Sequence, residues 1–265
     1  MQFAKPRSPS REAGRGRALI LGCAIDRVDM DQAVERCDEL IARNGFAQHM
    51  AVNAAKLVAM QRDERLREIT RNCELVTADG QSVVWASRML GDPLPVRVAG
   101  IDLMERLFAH AEERGYRVYV LGARREVLER AVERIRERHP RLELTGYRDG
   151  YFDDAERDAV AAEIRAARPD ILFVAMSSPR KEYFLGDLGP GLSVPFAMGV
   201  GGAIDVTAGV ARRAPRILQV LGLEWLFRLA QEPRRLLRRY LATNAAFMWL
   251  VLRAALAARL PRRAR

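Results

Sequence analysis

The chain of 265 residues alternates short apolar segments with longer amphipathic ones. Apolar runs of about four to eight residues are typical of buried strands, and apolar positions spaced three and four apart are typical of helices. On this basis the sequence predicts strands at 18–25, 48–54, 73–80, 116–123, 142–152, 170–177 and 194–201. It predicts helices at 30–44, 54–70, 82–90, 102–114, 125–138 and 154–167.

Strands that alternate with helices of this length predict an α/β fold with a Rossmann-like, mostly parallel sheet and helices on both of its faces. The pattern changes after Ala211, where the chain becomes helical and rich in arginine, with Pro215 and Pro233 placed to begin helices. We therefore expect a disordered basic tail (1–17), an α/β core (18–211) and a basic helical appendage (212–265).

Charge follows the same division. The appendage has thirteen arginines and two glutamates, a net charge of +11, whereas residues 18–211 carry −5. A nucleic-acid-binding domain usually spreads positive charge over its recognition face, so this distribution favours an anionic surface or a phosphate-bearing ligand, and no nucleic acid is expected.

The uncharged run YLATNAAFMWLVL, thirteen residues long, is shorter than the roughly 20 residues that a spanning helix requires. Its arginine-rich flanks predict a helix that lies on a membrane surface. The N-terminus has no apolar segment typical of a secretory signal. Three cysteines and three histidines, without metal-ligand spacing, predict no disulfide framework and no metal site.

Ligands of parallel α/β sheets bind at the carboxyl ends of the strands, so polar residues at strand ends are the candidates for chemistry. Asn53 has an amide suited to a sugar hydroxyl or a uracil edge, but it is equally suited to cap a helix. Asp79 has a carboxylate suited to general-base catalysis, although Asp-Gly is also a common turn.

Two further strand ends could bind phosphate. Gly122 precedes two arginines at the start of a helix, where a diphosphate could bind, but the full dinucleotide fingerprint is missing. Lys181 could neutralise a phosphate and Glu182 could bind sugar hydroxyls, or SSPRKE could simply cap a helix. The glycines of GVGGAID indicate a close approach of the backbone to another group.

Several segments in order resemble the WecG/TagA/CpsF glycosyltransferases of bacterial surface polysaccharide synthesis. They are VNAAKL, TADGQSVVWA, RVAGIDLM, VYVLGA, GYF, SPRKE, GVGGAIDVTAG and RAPRILQVLGLEWLFRLAQEPRRLLRRYL. The resemblance implies transfer of a sugar from a UDP-sugar to a polyprenyl-diphosphate-linked acceptor, with inversion and without a metal or cofactor. It also implies that Asp79 is the base and that Asn53 and Arg97 lie in the site. Ala51 and Lys181 depart from the residues common in the family, Thr and Gln, which leaves the donor sugar open.

The resemblance gives the appendage a function. Arg228, Arg235 and Arg238 would close over the sheet, offset the charge of the departing UDP and hold the acceptor diphosphate. Other arginines, with Trp249, would hold the helix on an anionic leaflet, which implies a cytoplasmic enzyme peripheral on the inner face of the bacterial plasma membrane. A homo-oligomer is possible. The alternatives are a non-enzymatic membrane- or nucleic-acid-binding protein and an epimerase-like enzyme, for which the expected fingerprint and Tyr/Lys pair are missing.

Overall fold

A computed structural model of the chain describes residues 16–43, 45–220, 222–231 and 233–259. Its centre is a sheet of six parallel strands in the order β4-β3-β8-β7-β5-β6. The strands are β3 (Ala47–Val52), β4 (Leu75–Ala78), β5 (Val118–Gly122), β6 (Leu144–Arg148), β7 (Ile171–Ala175) and β8 (Phe196–Gly199). The predicted α/β class and the six corresponding strands are confirmed.

The prediction of a single strand over 18–25 is wrong. This segment is an antiparallel hairpin of β1 (Arg17–Ile20) and β2 (Cys23–Asp26), which is separate from the main sheet. Leu21 (φ 50°) and Gly22 (φ 84°) form its turn, and positive φ at both central residues is the geometry that matches the twist of a two-residue hairpin. Arg17, which we expected in the tail, begins β1 and pairs with Asp26 at 2.8 Å.

The core helices are α1 (Met30–Ala42), α2 (Ala54–Ala59), α3 (Glu64–Arg71), α4 (Gln81–Met89), α5 (Gly100–Arg114), α6 (Arg125–Arg138), α7 (Arg157–Ala167), α8 (Arg180–Leu188) and α9 (Ala203–Thr207). The single helix predicted over 54–70 is wrong, because it is divided into α2 and α3. The Asp63 carboxylate accepts a hydrogen bond from Leu66 N at 2.9 Å and so begins a new helix.

Helices cover both faces of the sheet. One face packs against α1, α5, α6 and α9. The other packs against α7 and α8 at the β5–β6 end, and against α2, α3, α4 and the β1–β2 hairpin at the β3–β4 end. Because both faces are covered, the strands are apolar on both sides, as their near-continuous apolar sequences predict.

The appendage consists of α10 (Arg216–Val220), α11 (Glu224–Gln231) and α12 (Pro233–Arg259). α12 packs on α2 and α4, and its Phe247 and Val251 are 3% and 1% exposed within the same cluster as the core residues of that face. Within the described ranges, no helix is both long and apolar enough to cross a bilayer.

Candidate active site

The candidate residues lie along the carboxyl edge of the sheet. Asn53 follows β3, Asp79 follows β4, Gly122 ends β5, and Lys181 and Glu182 lie in the first turn of α8 beyond β7. The chain leaves β5 toward β6 and leaves β7 in the opposite direction toward β8, so the topological switch point lies between β5 and β7. A ligand that reaches from this crevice to Asp79 would cross the ends of β7, β8 and β3.

Asp79 is fixed between two helix starts. Its Oδ1 accepts a hydrogen bond of 2.7 Å from the N–H of Gly100, the first residue of α5, and the next residue, Gly80, is the N-cap of α4. A methyl group on Gly100 would lie 3.3 Å from Ala51 Cβ, so the α5 start packs closely on β3. The carboxylate is therefore positioned by the backbone, in the positive field of a helix N-terminus.

Asn53 is the N-cap of α2, which is one of the two functions predicted for it. Its Oδ1 accepts a hydrogen bond from Lys56 N at 3.0 Å and caps α2. The amide nitrogen of Asn53 has no hydrogen-bond partner among the described residues. Since a methyl group on Gly80 would lie 3.7 Å from Asn53 Cβ, the Asn53 side chain lies beside the Asp79–Gly80 turn.

Glu182 forms a buried ion-pair cluster with two lysines. Its Oε1 lies 2.9 Å from Lys56 Nζ and 3.0 Å from Lys181 Nζ, and the side chain is 2% exposed. Burial alone would raise the pKa of Glu182, but the two ammonium groups lower it to about 2, so the carboxylate is ionised. Both of its oxygens are buried, and a contact with sugar hydroxyls stays a prediction.

Sequence reasoning gave no function to Lys56. Its Nζ also donates to Ala51 O at 2.8 Å and contacts Met50 Sδ at 3.1 Å, so this lysine ties β3 to the start of α8. A lysine among the apolar residues of AAKLVA was the signal. The serine cap considered for SSPRKE is not found, because Pro179 occupies the N-cap position and no side chain caps α8.

The GVGG segment (199–202), which begins at the last residue of β8, lies against the Lys181 side chain. A methyl group on Gly199 would lie 3.0 Å from Lys181 Cδ and Cε, and one on Gly201 would lie 3.8 Å from Lys181 Nζ. The close approach indicated by these glycines is therefore partly to the lysine side chain. Burial and Lys56 lower the pKa of Lys181, although Glu182 and Asp79 act in the opposite direction.

Gly122 is a glycine for a structural reason. A Cβ at this position, with φ 129°, would lie 2.4 Å from the carbonyl carbon of Ala175 in β7. The backbone of β5 thus approaches β7 closely at the switch point. Arg124 follows in the next turn, and Tyr151, which is 70% exposed beyond β6, raises the pKa of its guanidinium.

Arg97 joins the core to the appendage. Its guanidinium lies 2.9 Å from Glu224 in α11 and 3.8 Å from Asp102 in α5, and Asp102 also pairs with Arg213 at 2.6 Å. A methyl group on Gly222 would lie 3.0 Å from Gln81 and Trp85 of α4. The appendage backbone therefore lies against the helix that follows Asp79.

The side chains of Arg228, Arg235 and Arg238 lie outside the described part of the structure. Their positions in the chain fall within α11 and α12. Their placement over the sheet stays a prediction.

A sequence model described as "Glycosyl transferase WecG/TagA/CpsF family" matches residues 18–261. The match includes the core, all of the candidate residues above and nearly all of the appendage.

Proposed function

The chain belongs to the glycosyl transferase WecG/TagA/CpsF family, and we propose that it transfers a sugar from a UDP-sugar to a polyprenyl-diphosphate-linked acceptor in cell-surface polysaccharide assembly. The observation that carries the proposal is the position of Asp79, held by Gly100 N–H at the carboxyl edge of the sheet. This is the edge at which nucleotide ligands of parallel sheets bind.

Asp79 is the general base of the proposed reaction. As the acceptor hydroxyl oxygen forms a bond to the anomeric carbon, its proton passes to the Asp79 carboxylate. The bond between the anomeric carbon and the β-phosphate oxygen breaks on the opposite side, and UDP leaves with the bonding electrons. Attack and departure on opposite sides invert the anomeric centre. A positioned base of this kind contributes about a hundred- to ten-thousand-fold to the rate.

The donor would lie across the strand ends. Its nucleotide would occupy the crevice between β5 and β7, near Gly122, with its diphosphate toward the start of α8. Asn53, whose side chain lies beside the Asp79–Gly80 turn, would donate from its amide nitrogen to a sugar hydroxyl or carbonyl. Arg97, together with Arg228, Arg235 and Arg238, would offset the charge that develops on UDP, the function that a metal serves in other transferases.

α12 would bring the enzyme to its acceptor at the membrane. Beside its packed face the helix exposes an apolar stripe, with Leu241 64%, Leu252 49% and Leu256 62% exposed. Arg253 lies over the Trp249 ring at 5.2 Å, which places a cation beside an aromatic group suited to the interface. This arrangement supports a peripheral enzyme on the cytoplasmic leaflet, where anionic lipids attract basic residues.

The proposal is tested by acceptor-dependent release of UDP from a panel of neutral and acidic UDP-sugars, with a short-chain polyprenyl-diphosphate-sugar as acceptor. We expect one donor to give release that depends on the acceptor. If no donor does so while the protein still binds anionic vesicles, the non-enzymatic membrane-binding alternative is favoured. Conversion of a UDP-sugar into an isomer without acceptor would favour the epimerase-like alternative.

A further inference from the structure

Lys56 and Lys181 share one carboxylate but differ in the number of partners they have. Lys56 Nζ has three, because it donates hydrogen bonds to Ala51 O and Met50 Sδ and forms an ion pair with Glu182 Oε1. Among the described residues, Lys181 Nζ has one partner, Glu182 Oε1 at 3.0 Å. Two N–H groups of this ammonium therefore have no partner within the described part of the chain and could bind a ligand.

The cluster of Lys56, Lys181 and Glu182 also carries an excess of positive charge, which Asp79 offsets only in part, since its effect on the pKa of Lys181 is smaller than those of burial, Lys56 and Glu182. Two ammonium groups face one carboxylate, and the three side chains are 8%, 10% and 2% exposed for Lys56, Lys181 and Glu182. A buried charge is costly unless it is paired, because it has lost its hydration. Since Lys56 has a full set of partners, the excess positive charge belongs to Lys181.

Lys181 borders the proposed donor path. Its side chain runs along Gly199, and its Nζ lies near Gly201. The negative charge of the Asp79 carboxylate acts to raise the pKa of Lys181. Glycines without side chains leave room for a ligand to approach Nζ. The ammonium thus lies between the nucleotide crevice and the base.

We propose that Lys181 Nζ binds an anionic oxygen of the donor, either of its diphosphate or of a carboxylate on its sugar, and that Glu182 and Lys56 are positioning residues that hold this ammonium in place. The inference rests on the proposed use of a UDP-sugar. An ammonium at this position suits an anionic oxygen, because it has a full positive charge as well as N–H donors.

The test compares binding of uridine, UDP, a UDP-hexose and a UDP-hexuronic acid by calorimetry, with the full-length protein and its Lys181→Met variant. The methionine side chain is similar in length to that of lysine. Removal of the Lys181 charge leaves Lys56 and Glu182 as an ion pair with no net charge. Lys181→Gln is a second variant that keeps N–H donors without the charge. Arg180→Gln is the matched control, because Arg180 is the neighbouring basic residue, is exposed, and donates a hydrogen bond to Phe152 O at 2.5 Å.

If Lys181 binds the diphosphate, both Lys181 variants should weaken the binding of UDP by roughly tenfold to a hundredfold and leave the affinity for uridine unchanged. If it binds a sugar carboxylate, the loss should be confined to the UDP-hexuronic acid. Arg180→Gln should show neither loss. Equal losses for uridine and for the anionic ligands, or no loss for any of them, would overturn the assignment of Lys181 alone. A wild-type protein that binds none of the UDP ligands would overturn the proposed function as well.

Discussion

His49 is an ionisable side chain held inside the sheet, in the middle of β3. It is 1% exposed, and its Nε2 lies 2.9 Å from Thr77 Oγ1 in the neighbouring strand. Burial, with a further contribution from Lys56, lowers the pKa of His49 from 6.5 to about 3. The imidazole is therefore neutral at physiological pH, and its burial makes the folded protein sensitive to acid.

The sign of this sensitivity follows from proton binding. Between about pH 6.5 and pH 3 the unfolded chain binds a proton at His49 and the folded chain does not, so the free energy of unfolding falls as the pH falls. We expect the titration of His49 to lower the free energy of unfolding by about 2 kcal/mol when the pH is lowered from about 7.5 to about 5. Urea unfolding at the two pH values should show a smaller difference for His49→Gln than for the wild type. An unchanged difference would mean that His49 does not titrate in this way.

Single residues also show which parts of the candidate site could be predicted from the sequence. Asp79 and Asn53 were found because each follows an apolar strand, and strand ends meet at one edge. The structure further shows that Asn53 uses its oxygen as a helix cap while its nitrogen has no described partner, so two interpretations that looked like alternatives are compatible. The pairing of Lys56 with Glu182 was not predictable, because it joins strands and helices far apart in the chain.

At the scale of elements, apolar periodicity predicted the six strands of the sheet, because strands covered on both faces are nearly continuous apolar runs. It failed for the β1–β2 hairpin, whose Leu-Gly turn is weaker as a signal than Asn-Gly or Asp-Gly. It also failed at the break between α2 and α3. The Asp63 cap that causes this break is visible in the sequence, but the apolar spacing continues across it.

The contact between Arg97 and Glu224 should hold α11 on the core. The two side chains are 15% and 20% exposed, so their attraction is less screened than that of a surface pair. We expect Glu224→Gln to cost roughly 1 kcal/mol of local stability, which corresponds to about fivefold faster amide hydrogen exchange in 224–231.

Glu64→Gln is the matched control for this experiment, because Glu64 is an exposed acid paired with Arg67 and Arg71 on α3. It should leave exchange in 224–231 unchanged. The proposed attachment is contradicted if the two variants exchange alike in this segment.

For the whole molecule, the net charge of +11 in the appendage and the apolar stripe of α12 predict attachment to anionic membranes. We expect Leu252→Glu to weaken binding to phosphatidylserine-containing vesicles by about tenfold or more, since it removes apolar burial and adds repulsion. Tyr147→Glu adds the same charge on β6, at the opposite edge of the sheet, and should bind as the wild type does. Equal binding of the two variants would show that the stripe is not the contact.

The measurement that tests the central claim most directly is the mass of the lipid-linked acceptor after incubation with UDP-sugars, for the wild type and Asp79→Asn in parallel. Asparagine keeps an oxygen that can accept from Gly100 N, so the variant should fold and bind UDP. We predict that the wild type adds one sugar to the acceptor, with release of one UDP, and that Asp79→Asn does so about a hundred- to ten-thousand-fold more slowly. An acceptor that gains no sugar with any donor, or a variant that transfers at the wild-type rate, would contradict the proposed reaction or the assignment of its base.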